Sequence, residues 1–258
     1  KLNIEPKGAI IAACDPSDTG NDPCGYVARQ GIVFFNVKEI EAENGNRKMD
    51  EACKTAILDG CDSFGYDADG LGATLRDNVD KSFTGKNTHI FAYKGSHAIN
   101  DPEAEFKSET ANLTNRDPQK KLKNKDVLFN KKAQNTLSFS ERVFRTWEAV
   151  VEGKMHDPDT LISFASYDPE TKQGIMPNMM EKIKAEASKV PIKPADTVKF
   201  YTKPELRKGV ALPDGSRLII PSPNLFDAAV LSFDKSSIMT HIEEIDISKI
   251  NTRSSRRW

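Results

Sequence analysis

Three aspartates stand where chemistry could be done. Asp15 ends an apolar run, Ala9 to Cys14, and a turn through Pro16, Ser17, Gly20 and Asn21 follows it. Asp67 ends a second run, Cys61 to Tyr66, and opens the acidic, glycine-rich stretch through Asp69, Gly70 and Gly72. Asp227 lies near the start of a late apolar segment, Ser222 to Phe233. Any one of these alone reads best as a turn or cap residue. A carboxylate at the carboxyl end of an interior strand, however, sits on the rim where open α/β sheets keep their sites. Three carboxylates brought together repel one another, by about 4 kcal/mol per pair at ~4 Å and an effective dielectric near 20. A divalent cation offsets that repulsion, and an all-oxygen donor set favours Mg²⁺ or Mn²⁺. Two such ions about 3.5–4 Å apart activate a water and stabilise the leaving oxygen in phosphodiester cleavage.

The elements that must position these acids follow from the pattern. Five to six consecutive small or branched apolar residues before Asp15 suit a strand covered on both faces. The segments 24–30 and 31–37 read as two further strands joined by a tight turn at Gly31, giving an antiparallel meander. Met49, Ala52, Cys53, Ala56 and Ile57 repeat at helical spacing, which predicts a helix over 46–58 ended by Gly60. The strand 61–66 comes next, then a helix over 73–79 and a strand over 88–93, completing the order βββαβαβ. A parallel pairing of the first and fourth strands would make Asp15 and Asp67 neighbours, and a late helix across the sheet would bring Asp227 to them.

The rest of the chain is less regular. Residues 94–125 are polar and rich in lysine, including Lys107, Lys121, Lys123 and Lys125, and predict a long loop. The apolar stripe from Val127 to Val150 predicts one long helix over 126–152. A second insertion spans 153–194, with a short helix at 179–188. Strands at 197–202 and 216–220 form a late β-hairpin, and a helix begins at Ser222 as N-cap with Pro223 in its first position. The tail 252–258 is basic.

The chain has 258 residues and a formal net charge of −1, so a nucleic-acid partner must be argued from where charges lie rather than from their sum. Length and pattern fit a single domain carrying two long insertions. The four cysteines, Cys14, Cys24, Cys53 and Cys61, have no CxxC spacing and read as reduced core thiols. The four histidines show no metal-binding pair. No apolar run approaches the ~20 residues of a membrane helix, and no secretory leader is visible, so no membrane partner is expected. A start at Lys1, almost at once in a core strand, is what a domain excised from a longer protein would show.

In this order of elements, with acids on the first strand, the fourth strand and a late helix, the chain resembles the ribonuclease H-like nucleases. Within them, Asp15 to Asp22, Tyr66 to Ala73 and Ser222 to Ala228 resemble the carboxy-terminal nuclease domain of the large terminase subunit of tailed phages. The resemblance implies an α/β fold with a mixed sheet of at least five strands flanked by helices. It also implies a metal-binding triad of Asp15, Asp67 and Asp227 holding Mg²⁺ or Mn²⁺ as two ions. Asn224 stands where related nucleases often carry an auxiliary acid or histidine. Asp69, Asp18 and Asp22 are the candidates to compensate for it. The implied activity is endonucleolytic cleavage of double-stranded DNA during genome packaging in the cytoplasm of the infected bacterial host. The implied partners are an ATPase motor domain of the same polypeptide, a small terminase subunit and a portal protein. No GxxxxGK[ST] motif occurs in these residues, so they do not include the P-loop of such a motor. Lys121, Lys123, Lys125, Lys203, Arg207, Lys208 and the basic tail are candidate phosphate contacts. Other readings of the same residues are a Holliday-junction resolvase of this fold, an actin-like ATP-binding phosphotransferase and a packaging module with an inert site.

Overall fold

The computed structural model describes residues 4–17, 22–108, 121–211 and 215–238; the basic tail, Asp18 and the middle of the lysine-rich loop lie outside these residues. β1 (Ile10–Asp15), β2 (Cys24–Gln30) and β3 (Val33–Ile40) form the expected antiparallel meander. α1 (Gly45–Leu58) crosses back so that β4 (Ser63–Asp67) lies parallel to β1 on its far side. Asn44 starts this helix by accepting the Arg47 N–H at 3.1 Å, and Gly60, at φ +69°, lets the chain leave it. A 3-10 turn at Gly70–Thr74 precedes α2 (Arg76–Ser82), which begins later than the predicted 73–79, and β5 (His89–Tyr93) then lies parallel to β4.

The predicted helix over 126–152 is broken into α3 (Asn124–Val127) and α4 (Lys131–Trp147), with a π-helical turn at Glu148–Glu152. Asn130 is the cause: its side chain accepts the Ala133 N–H at 2.9 Å, and an N-cap side chain competes with continuation of the preceding helix. The segment 153–194 is more than an appendage. It supplies β6 (Ser163–Phe164), parallel to β3, and α5 (Pro177–Ala187), so the sheet has six strands in the order β5-β4-β1-β2-β3-β6. The strand expected at 197–202 is reduced to isolated bridges, because Thr202 and Glu205 form a capping box that starts α6 (Lys203–Lys208). The late hairpin therefore falls on β7 (Val210–Ala211) and β8 (Arg217–Leu218). α7 (Asn224–Ser232) has Pro223 rather than Ser222 at its N-cap; the Ser222 hydroxyl instead accepts from Arg207 at 3.2 Å.

Two apolar layers result. Cys14, Tyr26, Phe64 and Tyr66 pack against α1 and α2, whereas Ala13, Val27 and Phe91 pack against α7, with Phe139 and Ile183 behind it. All four cysteines are buried and free. Every residue of α7 is buried, and the helix lies directly on the backbone of β2. A Cβ on Gly25 would stand 2.1 Å from the Asn224 carbonyl oxygen and 2.7 Å from the Leu225 nitrogen. Gly25→Ala is therefore expected to cost about 3 kcal/mol, because either the strand or the helix must retreat. A urea titration reads this directly, and a midpoint equal to the wild type would show that the close approach is dispensable.

Candidate active site

Strand alternation brings the acids to one side of the sheet. Ala13 faces the α7 layer and Cys14 the other, so Asp15 faces α7; Tyr66 faces α1 and α2, so Asp67 also faces α7. Cys14 is registered with Tyr66 across the parallel pair, which sets Asp15 and Asp67 level at the carboxyl ends of adjacent strands. Asp227 lies in the first turn of α7, the helix that crosses β2, β1 and β4. Asp15, Asp67 and Asp227 all line one cleft of about 420 Å³.

The acids are not left to repel one another. The Lys203 ammonium, at the start of α6, lies 2.5 Å from Asp15 Oδ2. The Lys132 ammonium, from α4, lies 2.8 Å from Asp227 Oδ2. Asp67 Oδ1 accepts the Asp69 N–H at 2.9 Å. Burial pushes the Asp15 carboxyl up to about 7; Lys203 opposes the shift, and Asp227 and Asp67 add to it. Burial likewise pushes Asp67 up to about 6. Burial works against the charge on Lys203, but Asp15, Asp227 and Asp67 outweigh it and hold that ammonium above its ordinary pKa.

This arrangement suits a hard divalent cation in its chemistry, with lysines holding the positive charge. Asp227 Oδ1 is buried and has no hydrogen-bond partner, an orphaned acceptor of the kind a cation would satisfy. All the donors are carboxylate oxygens, and the burial that raises Asp15 and Asp67 would be offset by a 2+ charge. Among the described residues no three acids, histidines or cysteines are gathered tightly enough to enclose an ion as the side chains stand. Lys203 and Lys132 occupy two of the oxygens that an ion would take.

The other predicted site residues fall in several places. Asp22 accepts from Arg207 at 2.7 Å and from Asn224 Nδ2 at 2.9 Å, so it joins the first hairpin to α6 and α7. Asn224 also donates to the Pro23 carbonyl at 2.7 Å, and its own Oδ1 has no partner. Asp69 lines the cleft, but its carboxylate accepts from the Ser96 N–H and hydroxyl at 2.8 and 2.7 Å and so holds the loop after β5. Lys203 is in the acid cluster rather than on an outer face. Lys123 and Lys125 pair with Glu103 and Lys121 with Glu105, all on the exposed surface, where such pairs are worth little. Lys208 is exposed beside the late hairpin.

Sequence reasoning missed Lys132, Tyr93 and Lys48. The Lys48 side chain is almost wholly buried and donates to the Ser17 hydroxyl and the Asp22 carbonyl at 3.2 and 2.8 Å, pinning both ends of the turn after Asp15. A lysine on the same helical face as Met49 and Ala52 was the available signal. Sequence reasoning also missed the ties at the two ends of α7. Glu186 of α5 accepts the Phe226 N–H at 2.9 Å, and Arg29 of β2 donates to the Ser232 carbonyl at 2.6 Å. An acid at the N-terminal end and a guanidinium at the C-terminal end complement the helix dipole and hold the helix that carries Asp227, although burial lifts the Glu186 carboxyl to about 7.

No protein-family model and no curated protein matches the chain. Solved structures do. The nuclease domain of the large terminase subunit gp2 of bacterial virus Sf6 is 34% identical, with 90% of each chain covered and a TM-score of 0.73. A lysine-to-alanine variant of that domain with manganese and beta-thujaplicinol is 33% identical over the same coverage, at a TM-score of 0.73. The corresponding variant with calcium is 34% identical, again with 90% of each chain covered, at a TM-score of 0.74.

Proposed function

The chain belongs to the family of phage large-terminase nuclease domains, and on that premise we propose that it is a metal-dependent endonuclease that cleaves double-stranded DNA during genome packaging. The reading rests on one observation: Asp15, Asp67 and Asp227 reach a single cleft from β1, β4 and α7. The related domain has been solved with manganese and with calcium, which favours divalent ions as the cofactor here, Mg²⁺ or Mn²⁺ in two sites.

In this mechanism Asp15, Asp67 and Asp227 supply the oxygen ligands, with Asp22 and Asn224 holding the hairpin behind them. Bound divalent ions would lower the pKa of an attacking water and stabilise the leaving oxygen. Lys203 and Lys132 pair with Asp15 and Asp227 when the acids are without other cations. Arg207, which lines the cleft, Lys208 next to it at the end of α6, Lys121 and Lys123 just before α3, and Lys125 within α3 are the side chains assigned to backbone phosphates. The 258 residues act as one nuclease domain of a larger terminase. Its ATPase motor, small terminase subunit and portal are the partners, and the infected host's cytoplasm is the compartment. No described helix is long and apolar enough to cross a membrane.

Supercoiled plasmid incubated with Mn²⁺ should be nicked and linearised by the wild type, left intact in EDTA, and left intact by Asp15→Asn. Equal cleavage by Asp15→Asn would overturn the assignment.

A further inference from the structure

Tyr93 ends β5 in register with Asp67 of β4, and Asp67 is level with Asp15 of β1. Three neighbouring parallel strands thus carry a row at their carboxyl ends: Asp15, Asp67, Tyr93. All three line the same cleft, and Tyr93 packs in the layer beneath α7.

Tyr93 is 4% exposed, yet its hydroxyl has no hydrogen-bond partner. Buried tyrosine hydroxyls normally find one, and leaving such a group unmet is destabilising. The ring also has little room to turn its hydroxyl elsewhere. Even a methyl group on Gly95 would meet the ring edge at 3.2 Å and the hydroxyl oxygen at 3.4 Å. The Lys131 ammonium lies 5.4 Å from the ring centroid and donates at 2.9 Å to Asp234. Asp227, which lines the same cleft, carries a second unmet group, its Oδ1 acceptor. A phenol is protonated at neutral pH and donates one hydrogen bond. A site holding carboxylates for cations and one free donor beside them is complementary to an anionic oxygen that bridges the two, such as that of a phosphodiester.

We propose that Tyr93 is a catalytic residue whose hydroxyl donates a hydrogen bond to a non-bridging oxygen of the phosphate being cleaved. The assignment rests on the nuclease reading above. Charge on that oxygen grows toward the transition state, so the bond strengthens there and acts on kcat more than on KM.

Tyr93→Phe removes the hydroxyl and keeps the ring. Steady-state cleavage of duplex DNA with Mn²⁺ should show kcat lowered by about 10- to 100-fold, the worth of one hydrogen bond to a charged acceptor, with KM changed less than about threefold. The melting temperature of the metal-free variant should be equal to or above that of the wild type, because an unmet buried group has been removed. A variant that cleaves within about twofold of an active wild type overturns the proposal and leaves the nuclease reading standing. A melting temperature that falls together with kcat also overturns it, since it makes the hydroxyl structural. A wild type that does not cut overturns the nuclease reading, and the role of Tyr93 falls with it.

Discussion

Asp67→Asn is expected to lower Mn²⁺-dependent cleavage at least about a thousand-fold while raising the melting temperature of the metal-free protein. The two effects have one origin. Burial lifts the Asp67 carboxyl to about 6, so the folded chain holds that proton more tightly than the unfolded chain does. Stability is therefore lost as pH rises from about 4 through about 6, and above that range the full cost of a buried carboxylate is present. Asparagine has no proton to lose and can still accept the Asp69 N–H, so it removes the cost while removing a proposed metal ligand. The gain should be visible at pH 8, amount to about 2–4 °C per kcal/mol, and vanish near pH 4. Thermal melts in EDTA across that range test it. A variant less stable than the wild type at pH 8 would mean that the carboxylate is held by contacts stronger than its burial. At limiting Mn²⁺, cleavage by the wild type should rise with pH through 6–7, because the ion must displace the protons that the metal-free site holds on Asp67 and Asp15.

Lys203→Met should move stability the other way. Asp15 is 1% exposed, and Lys203 is its ion-pair partner at 2.5 Å. Removing one member of a buried pair costs about 3–5 kcal/mol, or about 10 °C for a chain of this size. The loss should be larger at pH 8 than at pH 6, because Asp15, already lifted to about 7, can escape by taking up a proton at the lower pH. Mn²⁺ should then raise the melting temperature of the variant more than that of the wild type, since the ion no longer competes with an ammonium for Asp15. An equal or smaller Mn²⁺ shift in the variant would mean that Lys203 does not contend for the site. Met keeps an unbranched stem that reaches the position of the lysine Cε, so the comparison removes the ammonium and little else.

These two residues also mark where reading the chain succeeded and where it stopped. Asp67 was legible because a strand, an acid and a glycine turn are local features, and the parallel neighbour of an interior strand is set by the βαβ crossover. Lys203 reads in the sequence as a candidate phosphate contact, not as a partner of Asp15. Its place against Asp15 depends on the capping box at Thr202 and Glu205, which starts α6 directly after the expected strand and moves the hairpin downstream. The break at Asn130 matters in the same way. The apolar stripe runs on through it, but the new helix start places Lys132 where it reaches Asp227. Tyr93 left no signal beyond its place at a strand end, because an unmet hydroxyl is a property of packing. β6 was illegible for a different reason: two residues carry no periodicity, and Ser163 and Phe164 pair with β3 only because the chain returns there after about 130 residues.

That return shapes how the molecule meets its own kind. β3 would otherwise be the last strand of the sheet, and a strand rich in Val and Phe with unpaired amides invites another chain to add to it. β6 pairs alongside Val33 and Phe34, with the Ser163 N–H donating to the Ile32 carbonyl at 3.0 Å and the Ala165 N–H to the Phe34 carbonyl at 2.8 Å, and Phe164 stacks on Phe34 at 4.9 Å between ring centroids. The segment 153–194 thus serves as a guard against edge-to-edge aggregation. A version of the domain trimmed of it to shorten the chain would lose solubility before it lost any residue of the acid cluster.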